Sequence, residues 1–210
     1  STSVSISPSD AMLDCACDDC QRTLKEGGAP LLMGRFVLKM CQAVKARWPD
    51  KKVMFLPYWN YQKAPVGIEF PDNLEVMVCT TGAPMALLKQ PGVRKALDSN
   101  LAAWSKLAGG RITNWDYSDR GSGWTHAPFQ YPDQIVDFYK SNQSTLAGTF
   151  MNGGIASDWT TTAPTLYVWM KALWNPQLNV EAIFDEMCKR MYGKAAGTTR
   201  EMLHLQTQLW

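Results

Sequence analysis

Short apolar runs alternate with longer amphipathic segments along this chain, the pattern of strands followed by helices. Val4–Ser7 opens as a strand, stopped by Pro8-Ser9-Asp10. After a Cys- and Asp-rich loop, a helix is expected over about 34–48, with Phe36, Met40, Val44 and Trp48 as its apolar stripe and Pro49-Asp50 ending it. Val53–Leu56 is continuously apolar and reads as a strand buried on both faces. Leu74–Cys79 is a third strand. A helix over about 93–107 carries Val93, Leu97, Leu101 and Trp104 on one side, and Gly109-Gly110 stops it. Arg111–Asp116 is a fourth strand, Tyr131–Lys140 a helix with Pro132 in its first turn, and Leu146–Phe150 a fifth strand. Three helices close the pattern: Thr165–Trp174, apolar nearly all round and so expected to be buried; Val180–Tyr192, capped by Asn179 and Gly193; and Thr198–Trp210.

Strands separated by helices or long loops imply parallel pairing and an α/β fold. An open doubly wound sheet and part of a (β/α)₈ barrel both fit. A complete barrel takes about 250 residues and eight strands, whereas 210 residues here give five. The chain is thus read as one module, 1–210; as a barrel it would lack roughly three βα units at its start. Five barrel strands alone leave two open edges, which predicts self-association or some cover for those edges.

Composition narrows the function. The chain is 46% hydrophobic and 19% charged, enough to bury a core. Lys and Arg number 21 against 19 acidic residues, so no basic surplus suits nucleic acid. No stretch reaches the roughly 18 apolar residues of a membrane span. Nine Trp, seven Tyr and seven Phe are many. Such aromatics serve packing, and an indole face also stacks on the apolar face of a sugar.

Ligands of parallel α/β folds sit beyond the C-terminal ends of the strands. Those positions hold Asp10, then Tyr58, Trp59 and Tyr61, then Thr80-Thr81-Gly82, then Asp116 and Tyr117, then Asn152-Gly153-Gly154. This rim is acidic, aromatic and rich in amides, and it holds no phosphate-binding glycine loop. Neutral polyols suit it. Two carboxylates can carry glycosidic chemistry, one protonating the leaving oxygen and the other attacking the sugar or stabilising the cation. Asp10 and Asp116 are the candidate pair. Asp10 also fits an ordinary turn, and Asp116, between Trp115 and Tyr117, is expected against a low-polarity wall that raises its pKa. His126, in the loop Gly121-Ser-Gly-Trp-Thr-His126, is a candidate rim residue; His204, between Leu203 and Leu205, reads as structural. No nucleophile elbow is present.

Cys15, Cys17 and Cys20 crowd into six residues. Three thiolates at this spacing can hold a structural zinc ion, with Cys79 as the candidate fourth ligand; a disulfide with one Cys left over is the alternative. Cys41 and Cys188 lie on helices and are expected to be buried free thiols.

The order Ser-Pro-Ser-Asp10, Cys-x-Cys-x-x-Cys20, Trp-Pro-Asp50-Lys, Leu-Pro-Tyr58, Asn-Trp-Asp116-Tyr and Ala-Pro-Phe129, with Leu-Trp174-Asn-Pro176 and Met-Tyr192-Gly-Lys-Ala-Ala196 in the tail, resembles domain-of-unknown-function family 4838. The resemblance implies a secreted or periplasmic bacterial protein and the later part of a (β/α)₈ barrel. It also implies similarity to glycoside hydrolase family 163, which acts on N-acetylglucosamine-containing glycans. The five strands would be the fourth to the eighth. Asp10 and Asp116 would then follow strands four and seven, where many retaining glycosidase barrels carry acid/base and nucleophile. With an upstream half-barrel the chain would be a glycoside hydrolase. Without one it would be a carbohydrate-binding or structural partial barrel. One departure bears on this: family members often carry Glu-Gly after the last strand, where this chain has Asn152-Gly153. If that Glu is catalytic in relatives, this chain binds glycans without cleaving them.

Overall fold

The structure is a computed structural model, and it describes residues 2–7, 9–80, 88–117, 132–152 and 159–208, without the side chains of 159–162. Its elements run β1 (Ser3–Ile6), α1 (Asp18–Arg47), β2 (Lys52–Phe55), β3 (Leu74–Cys79), α2 (Pro91–Ala108), β4 (Ile112–Asp116), α3 (Pro132–Ser141), β5 (Leu146–Met151), α4 (Trp159–Trp174), α5 (Val180–Tyr192) and α6 (Ala196–Gln208). Five parallel strands form one sheet in the order β1-β2-β3-β4-β5. The order never reverses, as a barrel requires and a doubly wound sheet does not. The chain divides into two compact units, one of residues 1–82, 96–115 and 145–150, the other of 83–95, 116–144 and 151–210.

In the first unit, the register pairs Val53 with Leu74, Phe55 with Val76 and Val78 with Asn114. The apolar members of these pairs are buried on one face of the sheet. Phe55 meets Trp104 of α2 edge to face, with ring centroids 5.8 Å apart. The Trp104 indole N–H donates to the Gln62 carbonyl at 2.9 Å, so this large buried side chain leaves no donor stranded. The other face is less covered. Met54 and Met77 are half-buried and Glu75 is exposed. Val53–Leu56 is therefore buried on one face, not on both, because among the described residues the opposite side of β2 is only partly covered.

Two helical expectations are also corrected. α1 starts at Asp18, well before residue 34, and is broken by non-helical backbone at Gly27 and Gly28, the latter at φ 70°. Pro30 follows in the first turn of the second segment, where its missing N–H costs nothing. The buried stripe of that segment is Gly34, Val37, Cys41 and Val44, while Phe36 and Trp48 are exposed. The reason is geometric. A spacing of four advances about 400°, so three such steps rotate about 120° away from the starting face. Likewise α4 buries Ala163, Thr165, Val168 and Ala172 but leaves Met170 exposed and Trp174 92% exposed, so it is amphipathic in place although its sequence is not.

In the second unit, α3 packs on α4, and α5 on α4 and α6. Asn179 caps α5 by accepting the Ala182 N–H at 3.1 Å, and Gly193 ends it at φ 51°. The Lys171 ammonium donates to both Glu186 oxygens at 3.0 Å and, with that bond as the main cause, holds the carboxyl below its ordinary range.

Two outcomes follow from this packing. A Cβ on Gly34 would lie 2.7 Å from Ile68 Cδ1 and 3.0 Å from Pro65 Cγ. Gly34→Ala should thus destabilise by roughly 1–3 kcal/mol in urea unfolding, whereas Gly92→Ala, with nothing within 4 Å, should be neutral or slightly stabilising. The depressed Glu186 carboxyl contributes stability fully above its unfolded pKa of about 4.3, and that contribution is lost as pH falls through its lower folded value. Glu186→Gln should flatten the acid limb of the stability–pH curve without steepening the alkaline one.

Candidate functional site

The loop after β2 carries Tyr58, Trp59, Asn60 and Tyr61 and is held from two sides. Asn60 clasps the backbone of Leu13: its Oδ1 accepts the Leu13 N–H at 3.0 Å and its Nδ2 donates to the Leu13 carbonyl at 2.9 Å. On the other side Asn100 of α2 accepts the Ala64 N–H at 2.9 Å and donates to the Gln62 carbonyl at 3.2 Å. Gln62 Nε2 also donates to the Cys79 carbonyl. Three segments distant in sequence thereby fix one loop.

Trp59 sits in that clasp at φ 47°, the left-handed region that a bulky residue rarely adopts, with its side chain half exposed. Tyr58 meets its ring edge-on at 5.4 Å. Beside it lies a groove of about 610 Å³, walled by Trp59, Asn60 and Lys63 on one side and by Leu13, Asp14 and Gln21 on the other. Tyr61 points inward instead. It is 2% exposed, its hydroxyl has no partner among the described residues, and burial, then the charge of Asp10, pushes its pKa up. Asp10 is exposed in the turn after β1, where the Ala11 N–H donates to the Ser9 carbonyl at 2.7 Å.

Asp116, in the second unit, is the last residue of β4 and only 3% exposed. Its Oδ1 accepts the Tyr117 N–H at 2.7 Å and its Oδ2 accepts the Tyr139 hydroxyl at 3.2 Å. Trp169 Nε1 donates onward to the Tyr139 oxygen at 3.2 Å, making a chain from α4 through α3 to the carboxylate. Asn152 is tied to the same residue, its N–H donating to the Asp116 carbonyl at 2.7 Å. Of the rim residues named from sequence, Tyr58, Trp59 and Tyr61 share one loop, and Asp116, Tyr117 and Asn152 share one strand-end cluster. His126 lies outside the described residues. Sequence reasoning missed Asp14, Gln21 and Lys63 in the groove, and Tyr139 and Trp169 behind Asp116. The helical spacing of Gln21 was available only to a reader who had placed the start of α1 at Asp18.

Cys15, Cys17 and Cys20 converge where α1 begins, their sulfurs all within 4.8 Å of one another. This set of three could bind a metal ion. The Cys20 N–H and the neighbouring thiols pull the Cys17 thiol below its ordinary value, and the same thiol contacts push Cys20 up to about 12. Cys79 is not in the cluster; it is buried at the end of β3, its N–H donating to the Pro57 carbonyl. Cys41 and Cys188 are buried free thiols on α1 and α5, as expected.

Residues 1–204 match the family model described as Domain of unknown function (DUF4838). The chain belongs to DUF4838. No curated protein matches it. Among solved structures it is similar in fold to a mutant of the O-GlcNAc hydrolase of Thermobaculum terrenum, with a TM-score of 0.54 at 14% identity over 91% of this chain. This DUF4838 chain spans 40% of that chain, so the likeness concerns part of the larger protein. The likeness concerns the fold, a parallel five-stranded α/β sheet with surrounding helices.

The Asn60 clasp can be tested directly. Asn60→Ala removes both Leu13 bonds and should cost about 1–3 kcal/mol. Amide exchange at Leu13 should accelerate at least about tenfold, while exchange in α5 should stay unchanged.

Proposed function

We propose that this DUF4838 module binds glycans, N-acetylglucosamine-containing ones among them, as part of a glycoside-hydrolase barrel in which Asp10 and Asp116 carry the chemistry. The observation that supports this reading is Trp59. A half-exposed indole is held at a strained φ of 47° beside a groove of about 610 Å³ whose lining joins one carboxylate, Asp14, three amides, Gln21, Asn60 and Gln62, and the Lys63 ammonium to the apolar Leu13, Leu24 and Pro30. Strain of this kind persists where surroundings over-determine it, and it clusters at functional sites. The indole face offers stacking to the C–H face of a pyranose, and Asp14, Gln21 and Asn60 offer partners to its hydroxyls. Asp10 at one strand end and Asp116 at another supply the two carboxyl groups that glycoside hydrolysis uses.

A second reading, carbohydrate binding without cleavage, is favoured by one observation. Asp116 is 3% exposed, and both its oxygens already accept hydrogen bonds from the protein. In that reading Asp116 anchors the end of β4 and does not meet the substrate.

Titration with N-acetylglucosamine oligosaccharides, followed by calorimetry and by product analysis, separates the two. Trp59→Ala should weaken binding about tenfold or more while the far-ultraviolet circular dichroism is kept. Asp10→Asn and Asp116→Asn should each lower cleavage by about 10²-fold or more with binding intact. Binding with no cleavage in the parent would favour the lectin-like reading, and failure to bind any such glycan would refute both.

A further inference from the structure

We propose that Cys15, Cys17 and Cys20 form a three-thiolate site for a soft divalent cation, zinc foremost, that fastens the start of α1 to the wall of the Trp59 groove. The geometry carries the site. Around a tetrahedral zinc with Zn–S near 2.3 Å, sulfurs stand about 3.8 Å apart. Here Sγ of Cys15 and Cys17 are 3.5 Å apart, and all three sulfurs lie within 4.8 Å of one another. A disulfide needs about 2.05 Å, so no pair is bonded, and oxidising any two would strand the third.

The ligand-bearing backbone is fixed before any ion arrives. Gln21 Nε2, one helical turn into α1, donates to the Cys15 carbonyl at 2.7 Å. Leu13, two residues before Cys15, is clasped by Asn60. Cys17 is the N-cap of α1 and Cys20 lies in its first turn, so two ligands share one rigid frame. The surroundings are anionic: Asp14, Asp18 and Asp19 are all exposed beside the thiols, and among the described residues only Asp19 pairs with a cation, Arg22, at 2.6 Å. Carboxylates so close to the thiols favour a bound cation. Binding releases the thiol protons to solvent, and no redox step is involved. Cys79 is excluded by its place at the buried end of β3, so among the described residues no fourth thiol joins the three.

Because Asp14 and Gln21 line the groove and flank the cluster, the ion would stiffen one groove wall. The metal site itself does not depend on the glycan reading.

Cobalt(II) is the probe, added anaerobically to the reduced, chelator-treated chain. One equivalent should produce thiolate-to-cobalt absorption in the near ultraviolet, scaled to three thiolates, with the visible bands of tetrahedral cobalt. Zinc should displace it, and amide exchange around residues 13–21 should slow. Cys17→Ser should weaken cobalt binding at least tenfold without harm to the fold, since Ser is itself a good N-cap. Cys79→Ser, verified as folded, should leave the spectrum unchanged. Absence of stoichiometric binding would overturn the proposal. So would binding that survives Cys17→Ser, or a band that a folded Cys79→Ser protein loses.

Discussion

Parallel pairing is the constraint on which this structure rests. A strand that must run the same way as its predecessor needs a long return path, so each strand here is followed by a helix or a long loop before the next begins. The consequence is chemical as well as topological. The segments after β1 and β2 both leave from one end of the sheet, and they carry Asp10, the thiol cluster and Trp59. The face toward the helices is dry and apolar at Val53, Phe55, Val76 and Val78, which fixes the register. Once the register is fixed, Asn60 can reach Leu13 and Asn100 can reach residues 62–64. The groove is therefore a product of strand pairing elsewhere in the unit.

What was legible in the sequence was what depends on local periodicity. β3 runs from Leu74 to Cys79 and α5 from Val180 to Tyr192, the bounds their patterns predict. Both have unambiguous ends: alternation in β3, Asn179 and Gly193 around α5. α1 was half hidden because Gly27, Gly28 and Pro30 interrupt it. Those residues break a helix in isolation, yet here they join two segments. The strand-end rule pointed to Trp59, which the fold sets beside the groove, since that rule needs only chain order. It could not find Tyr139 or Trp169, because their relation to Asp116 arises from the packing of α3 and α4.

The exposure of the thiols and the burial of Cys41 show how one residue type divides by environment. Cys41 is fully buried on the helix stripe, and desolvation pushes its thiol up to about 11. It behaves as a small apolar side chain. Cys15 and Cys17, on the surface next to three aspartates, have no packing role that an alanine could not fill. Spacing in the sequence pointed to the cluster, but only the fold shows that Gln21 and Asn60 hold its backbone still.

Strand parity decides how the two proposed carboxylates differ. Asn114 pairs with Val78, on the apolar face of the sheet, and neither of its amide atoms meets a partner among the described residues. Asp116 follows two positions later in the same strand and so keeps that parity. Its side chain accordingly goes to Tyr139 on α3, while Trp115 takes the other parity and packs against Phe150 with centroids 4.4 Å apart. Asp10 belongs to no strand and is free of that rule; it lies exposed beyond Pro8-Ser9. A carboxylate fixed by two donors in a buried place has a set orientation and a limited view of solvent. One in an exposed turn has the reverse.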